Sequence, residues 1–123
     1  MSTDRPGPAA AARAQLAEQS ELRRFRDELS LHLGGNDMGT EPAMALLGGF
    51  STYGYLLVGW LADHPLMLLD CLGFPHRVAD GWVAAHVGNA DDLARLVPVM
   101  CEACTSVQVV DLEMVADDIA GRR

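Results

Sequence analysis

Apolar residues recur along the first part of the chain at the spacing of one helix face. The large members of this face are Leu16, Leu22, Phe25, Leu29 and Leu33. Charged residues fill much of the rest of the segment, which predicts an amphipathic helix from about Ala9 to about Leu33. Gly34-Gly35 follows, and glycine accepts the left-handed conformation that ends many helices. Residues 1–8 contain two prolines around a glycine, which predicts a disordered tail.

The next segment, Ala43–Ala62, contains no formally charged residue. Thr40 precedes it as a candidate N-cap, and His64-Pro65 provides a stop. An element that is apolar all round is a buried helix or a membrane span. The glycines dilute the apolar content, and the acidic flanks lack the basic residues that mark a membrane boundary. We therefore expect a buried central helix, with two short strands around Gly54 as the alternative.

The second half of the chain shows four further patterns. A short leucine-rich helix is expected from Pro65 to about Gly73, and a one-sided apolar stretch follows from Pro75 to Gly88. Asn89 and the two aspartates after it are typical of a helix start. The helix that follows is expected to continue to about Val107. Residues 106–112 remain ambiguous, because their β-branched residues favour a strand, whereas the spacing also fits a last helix that ends at Gly121.

Together these patterns predict a mainly α protein. We expect a single domain over residues 9–123, built as a bundle of four to five helices around the glycine-containing segment Ala43–Ala62. The first helix packs at the edge of this bundle or reaches out to a partner, because a glycine loop separates its apolar face from the rest.

Composition and charge narrow the classes of function. The chain has 123 residues, of which 50% are hydrophobic, so it is not a wholly disordered protein. Three cysteines are too few for a disulfide scaffold and indicate a reducing compartment, so we expect a cytoplasmic protein. The net charge of −8 repels phosphate backbones, so no nucleic-acid partner is expected, and no membrane partner either. Arginine without lysine is typical of a GC-rich genome, such as that of a bacterium or phage.

Cys101 and Cys104 form the most suggestive motif for metal or redox chemistry. A C-x-x-C pair brings two thiols close together, but a structural zinc site needs four ligands. Cys71 and the histidines would complete such a site only if the fold brought them together. The two cysteines fall on the apolar stripe of a predicted helix, which favours their burial as small hydrophobic residues. No pair of histidines shows the spacing with a glutamate that marks a metalloprotease helix.

The segment Ser51–Trp60 combines small residues with aromatic ones. It lacks the G-x-S-x-G pattern of a hydrolase nucleophile. Tyr53, Tyr55 and Trp60 are instead candidate anchors of an interface, because aromatic residues carry much of the energy of such contacts. The same residues would also serve as plain core.

No residue pattern assigns a catalytic, cofactor-binding or metal-ligating role. We therefore expect a non-catalytic protein–protein interaction module, such as an adaptor, an inhibitor or a small assembly component, that self-associates. One alternative is a small-molecule-binding domain or enzyme that uses Ser51–Trp60. A second alternative is a metal or redox module that uses Cys101 and Cys104.

Overall fold

The computed structural model describes residues 7–49, 51–61 and 73–121, and these form four helices and four strands. Their order along the chain is α1 (Pro8–His32), α2 (Asp37–Leu47), β1 (Tyr55–Leu61), β2 (His76–Ala79), β3 (Trp82–Val87), α3 (Ala90–Ala103), β4 (Cys104–Asp111) and α4 (Leu112–Gly121). The predicted first helix is confirmed. So is the helix start at Asn89, whose side chain accepts a hydrogen bond from the N–H of Asp92.

The four strands form one antiparallel sheet in the order β2-β3-β1-β4. β2 and β3 are joined by the two-residue turn Asp80-Gly81, since Ala79 pairs with Trp82. Both turn residues have positive φ, 51° and 84°, as a type I′ hairpin requires. β1 is a central strand of this sheet, and β4 is an edge strand. The register between β1 and β4 is irregular between Val58 and Trp60.

Each face of the sheet carries its own hydrophobic core. On one face, α1, α2 and α4 pack against the sheet through Phe25, Leu29, Leu33, Ala43, Leu56, Val58, Ala84, Val110, Leu112, Val115 and Ile119. On the other, α3 packs through Leu57, Val83, Ala85, Val87, Leu96, Met100, Ala103 and Cys104. Successive strand residues point to opposite faces, so β1 supplies both cores and is buried over Leu56–Gly59.

The prediction of a mainly α helical bundle is wrong, because the protein has an α+β fold. The segment Ala43–Ala62 is not one central helix: its described residues belong to the end of α2, a loop and β1. Gly48 ends α2 with a φ of 70°, and Gly54 has a φ of 81° just before β1. The uniformly apolar character that favoured a buried helix instead reflects a strand covered by helices on both faces.

The expected continuation of the helix from Asn89 to about Val107 is wrong, and the apolar stretch before that helix forms strands. The stretch from Pro75 to Gly88 contains the β2–β3 hairpin, and Asp-Gly between apolar residues is a strong hairpin signal. α3 ends at Ala103, so the ambiguous residues 106–112 are mostly strand and the last helix begins only at Leu112. The helix from Pro65 lies largely outside the described residues, as does most of the predicted tail, 1–8. Among the described residues, no helix is both long and apolar enough to cross a membrane.

Candidate functional site

The three aromatic residues proposed as interface anchors do not form one surface. Tyr53 is 64% exposed in the loop before β1, and Tyr55 starts that strand beside the core under α3. Trp60 lies at the other end of β1 and contacts Trp82 edge to face, with ring centroids 5.3 Å apart. Five residues of strand span about 17 Å. Tyr53 and Tyr55 are therefore brought together, whereas Trp60 belongs to a separate aromatic pair.

Tyr53 and Tyr55 line a half-open cavity of about 180 Å³ at one end of the sheet. Its other lining residues are Gly54, Gly88, Asn89, Ala90, Asp111 and Glu113. Several polar groups at this end already have local partners: His86 Nε2 lies 2.7 Å from the carbonyl oxygen of Tyr53, and Asp111 accepts from the N–H of Glu113. Cavities that bind small molecules usually exceed about 300 Å³. The geometry therefore gives little support to a ligand site at Ser51–Trp60.

The two cysteines of the C-x-x-C motif occupy different environments. Cys101 is exposed near the end of α3, whereas Cys104 is 5% exposed and is the first residue of β4. Their predicted place within one helix is wrong, but Cys104 does pack in the core. Burial raises the pKa of the Cys104 thiol, and the neighbouring Cys101 adds to the rise. A raised pKa disfavours the thiolate that redox and metal chemistry require.

No group of potential metal ligands among the described residues includes either of these cysteines. His76 Nδ1 lies 3.0 Å from the carbonyl oxygen of Phe74, so this ring nitrogen has a hydrogen-bonding partner two residues away. Cys71 and His64, which were considered as further ligands, lie outside the described residues. The part of the fold that is described therefore does not assemble the metal or redox module.

The outer edge of β4 is the most distinctive unpaired feature of the described fold. Leu112 donates its N–H to the carbonyl oxygen of Gly54 at 3.1 Å, directly beside the pair Tyr55–Asp111. Hydrogen-bonding positions alternate along an antiparallel ladder. Val110 and Gln108 therefore direct their N–H and C=O groups toward β1, whereas Val109 and Asp111 direct theirs outward, as Val107 does with its C=O. The N–H of Val107 follows Ser106, where the ladder is irregular. No described strand pairs with that outer edge.

The two edges of the sheet differ in how they are protected. β2 is four residues long, carries Arg77 and is contacted by α2. β4 is eight residues long and has no charged residue before Asp111. Short strands and charged side chains are the usual protection of sheet edges against pairing with other chains. β4 has two such devices, the irregular backbone at Ser106 with a φ of 55° and the carboxylate of Asp111 at its end, so its last five residues form an open edge with a single charge.

Sequence reasoning missed this edge because it left residues 106–112 between strand and helix. The available signal was the β-branched content of the segment, which includes Val107, Val109 and Val110. Nothing in the pattern itself distinguishes an edge strand from an inner one, since that depends on which strands flank it.

α1 extends well beyond the body of the protein. Residues 11–24 are all exposed, and the buried part of the helix begins at Phe25. Leu16 is 64% exposed and Leu22 is 40% exposed. The predicted possibility that the first helix reaches out to a partner is compatible with this geometry and stays a prediction.

The chain matches no protein family model, no curated protein and no solved structure. Similarity to a known protein therefore provides no function. The inference of function depends on the geometry of the chain itself, and the open β4 edge is its strongest feature.

Proposed function

We propose that the protein is a non-catalytic protein–protein interaction module that self-associates through β4. The observation that carries this proposal is the outer edge of β4, where Val107, Val109 and Asp111 present outward backbone groups that no described strand pairs. An extended strand that adds to such an edge gains main-chain hydrogen bonds without any special side chain. The partner we propose is a second copy of the same chain.

A two-fold axis beside Val109 produces a self-complementary contact. Antiparallel pairing of β4 with its copy sets Val109 opposite the other Val109, and Val107 opposite Asp111 at both ends. The two Val109 residues exchange two hydrogen bonds, and each Val107–Asp111 pair forms one or two, so the contact contains about four to six. Two-fold contacts of this isologous kind are the commonest in soluble oligomers. The result is a continuous eight-stranded sheet.

Side chains support the same pairing. Val109 is 46% exposed, and β-branched residues opposite each other on neighbouring strands stabilise a sheet. The two Asp111 side chains lie at opposite ends of the contact rather than against each other. In addition, each Asp111 already accepts a hydrogen bond from Glu113 within its own chain, at 3.0 Å. Pairing therefore brings no two like charges directly opposite.

The net charge of −8 supports the proposed class of partner, and the free cysteines support the proposed compartment. A strongly acidic chain does not attract nucleic acid or anionic membranes, so proteins are the proposed partners. Cys101 is both free and exposed, as is common for thiols in a reducing compartment. We therefore propose a cytoplasmic location for the module.

The test is the oligomeric state of the full chain, measured by native mass spectrometry and sedimentation equilibrium. We expect a reversible dimer of two 13.2 kDa chains. Val109→Pro removes an outward N–H that the sheet of the single chain does not use, and Val109→Lys adds a charge at the same position. Both variants are expected to be monomers, and either one alone suffices if the other does not fold.

Val78→Lys is the matched control, because Val78 is a half-exposed valine on the opposite edge strand, β2. This variant is expected to dimerise as the natural chain does. A chain that is monomeric at every concentration would overturn the proposal. So would a dimer that survives both changes at Val109, or one that is lost only when the chain up to residue 20, including the exposed start of α1, is deleted.

A further inference from the structure

Three side chains with metal-ligating atoms meet where α1 packs against α4. Glu28 and His32 are four residues apart on one face of α1, and Asp118 comes from α4. His32 Nε2 lies 2.8 Å from Asp118 Oδ2 and 3.9 Å from Glu28 Oε1. One ligand atom from each residue lies within 4.8 Å of the other two. We propose that these three residues bind a divalent transition-metal ion, with Zn²⁺ as the fitting example.

The distances suit a small tetrahedral ion. Zinc binds imidazole nitrogen and carboxylate oxygen at about 2.0–2.2 Å, so adjacent ligands in a tetrahedron are roughly 3.3–3.6 Å apart. The 2.8 Å separation of His32 Nε2 from Asp118 Oδ2 is shorter than this value by about 0.5–0.8 Å, and the 3.9 Å separation of His32 Nε2 from Glu28 Oε1 is longer by about 0.3–0.6 Å. Asp118 is about half exposed, so its side chain has room to move by this amount.

The donor set selects the class of ion. Imidazole is a good ligand for zinc and its first-row neighbours, whereas Mg²⁺ and Ca²⁺ prefer sites made of six or more oxygen atoms. The cluster adds an imidazole nitrogen to two carboxylates, and this nitrogen favours zinc over ions that bind oxygen ligands almost exclusively. Three protein ligands leave the fourth position of a zinc ion for a water molecule.

The charges and burial at this site are also consistent with a cation. Glu28 is 5% exposed, and its carboxylate is already paired within the fold, His32 lying 3.9 Å away. A divalent ion neutralises the two carboxylates together and links the last helix to the first. The hydrogen bond between His32 and Asp118 links the same helices without metal, so the test has to separate these two roles.

The experiment uses the full chain after treatment with a chelator. Addition of Zn²⁺ is expected to bind one ion per chain in a calorimetric titration. It should also raise Tm by roughly 5 °C at a concentration far above Kd, because the ion binds only the folded site. The same concentration of Mg²⁺ should leave Tm unchanged.

Asp118→Asn removes one ligand charge, whereas Asp117→Asn changes the adjacent exposed aspartate and is the matched control. We expect at least a tenfold loss of Zn²⁺ affinity in the first variant and none in the second. His32→Gln provides a second variant at the same site. Equal affinity in Asp118→Asn and the natural chain would overturn the proposal. In a Co²⁺-substituted sample, a thiolate-to-metal absorption band would also overturn it, because it would assign the ion to a cysteine.

Discussion

Leu112 donates its backbone N–H to the carbonyl oxygen of Gly54 across 3.1 Å. This bond sets the phase of the β1–β4 ladder, and it thereby decides which β4 residues face β1 and which face outward. Gly54 also lies close to Val87 of β3, where a Cβ would collide with the carbonyl oxygen of Val87. The Leu112–Gly54 bond therefore identifies which backbone groups face outward from Gln108 to Leu112, beyond the irregularity at Ser106.

Proline substitution at adjacent β4 positions is expected to have unequal effects on stability. Gln108→Pro removes an N–H that points toward β1, and it should lower the free energy of unfolding by about 3 kcal/mol or more. Val109→Pro removes an outward N–H and should cost roughly 1 kcal/mol, mainly from lost side-chain packing. Urea denaturation of dilute samples compares the two. Equal losses would contradict the assigned phase of the ladder.

The proposed dimer is expected to tighten as ionic strength rises. Each chain carries a net charge of −8, so two copies repel each other, and salt screens this repulsion. The part of β4 before Asp111 contains no charged residue, so no attractive ion pair is screened along it. Sedimentation equilibrium at about 0.05 M and about 0.5 M NaCl measures the change. A weaker dimer at high salt would show that attractive charge pairs hold it together.

Stability is expected to fall in alkaline solution because of Cys104. Its pKa is raised in the fold, so the folded state favours the protonated thiol. The free energy of unfolding therefore includes a favourable contribution from the neutral thiol. This contribution is fully present below the ordinary thiol pKa of about 8.5, and it is lost as pH rises through the raised pKa of Cys104. Urea denaturation across this range should show a smaller alkaline loss in Cys104→Ala. Cys101→Ser keeps the buried thiol, so most of the pH dependence should remain in that control.

Gly81→Ala is expected to disturb the hairpin more than a glycine substitution in open space. Gly81 has a φ of 84°, and a Cβ there would lie 2.7 Å from a ring carbon of Trp60. Gly48→Ala is the matched control, because Gly48 has a φ of 70° and no such neighbour. We expect the free energy of unfolding to fall by about 1 kcal/mol in Gly48→Ala and by about 2–3 kcal/mol in Gly81→Ala. Denaturation measures both losses, and near-ultraviolet circular dichroism reports the Trp60–Trp82 pair. Equal losses would show that the Trp60 contact adds nothing.

Local signals in the sequence identified the elements that carry clear ends. The amphipathic pattern and the glycine pair after Leu33 located α1, and Asn89 with its two aspartates located the start of α3. The strands were harder, because a short apolar run such as Tyr55–Leu61 has the same composition as part of a buried helix. The Asp80-Gly81 turn was the local clue to the hairpin.

The sequence by itself determined two ends of helices, the acidic charge and the amphipathic face of α1. Tertiary structure alone decided that Asp118 joins them, that Trp60 lies away from Tyr53, and that β4 is an edge strand. The physical reason is the range of the interactions involved. Caps and side-chain periodicity depend on residues within one or two turns, whereas strand order and clusters between helices depend on residues far apart in the chain.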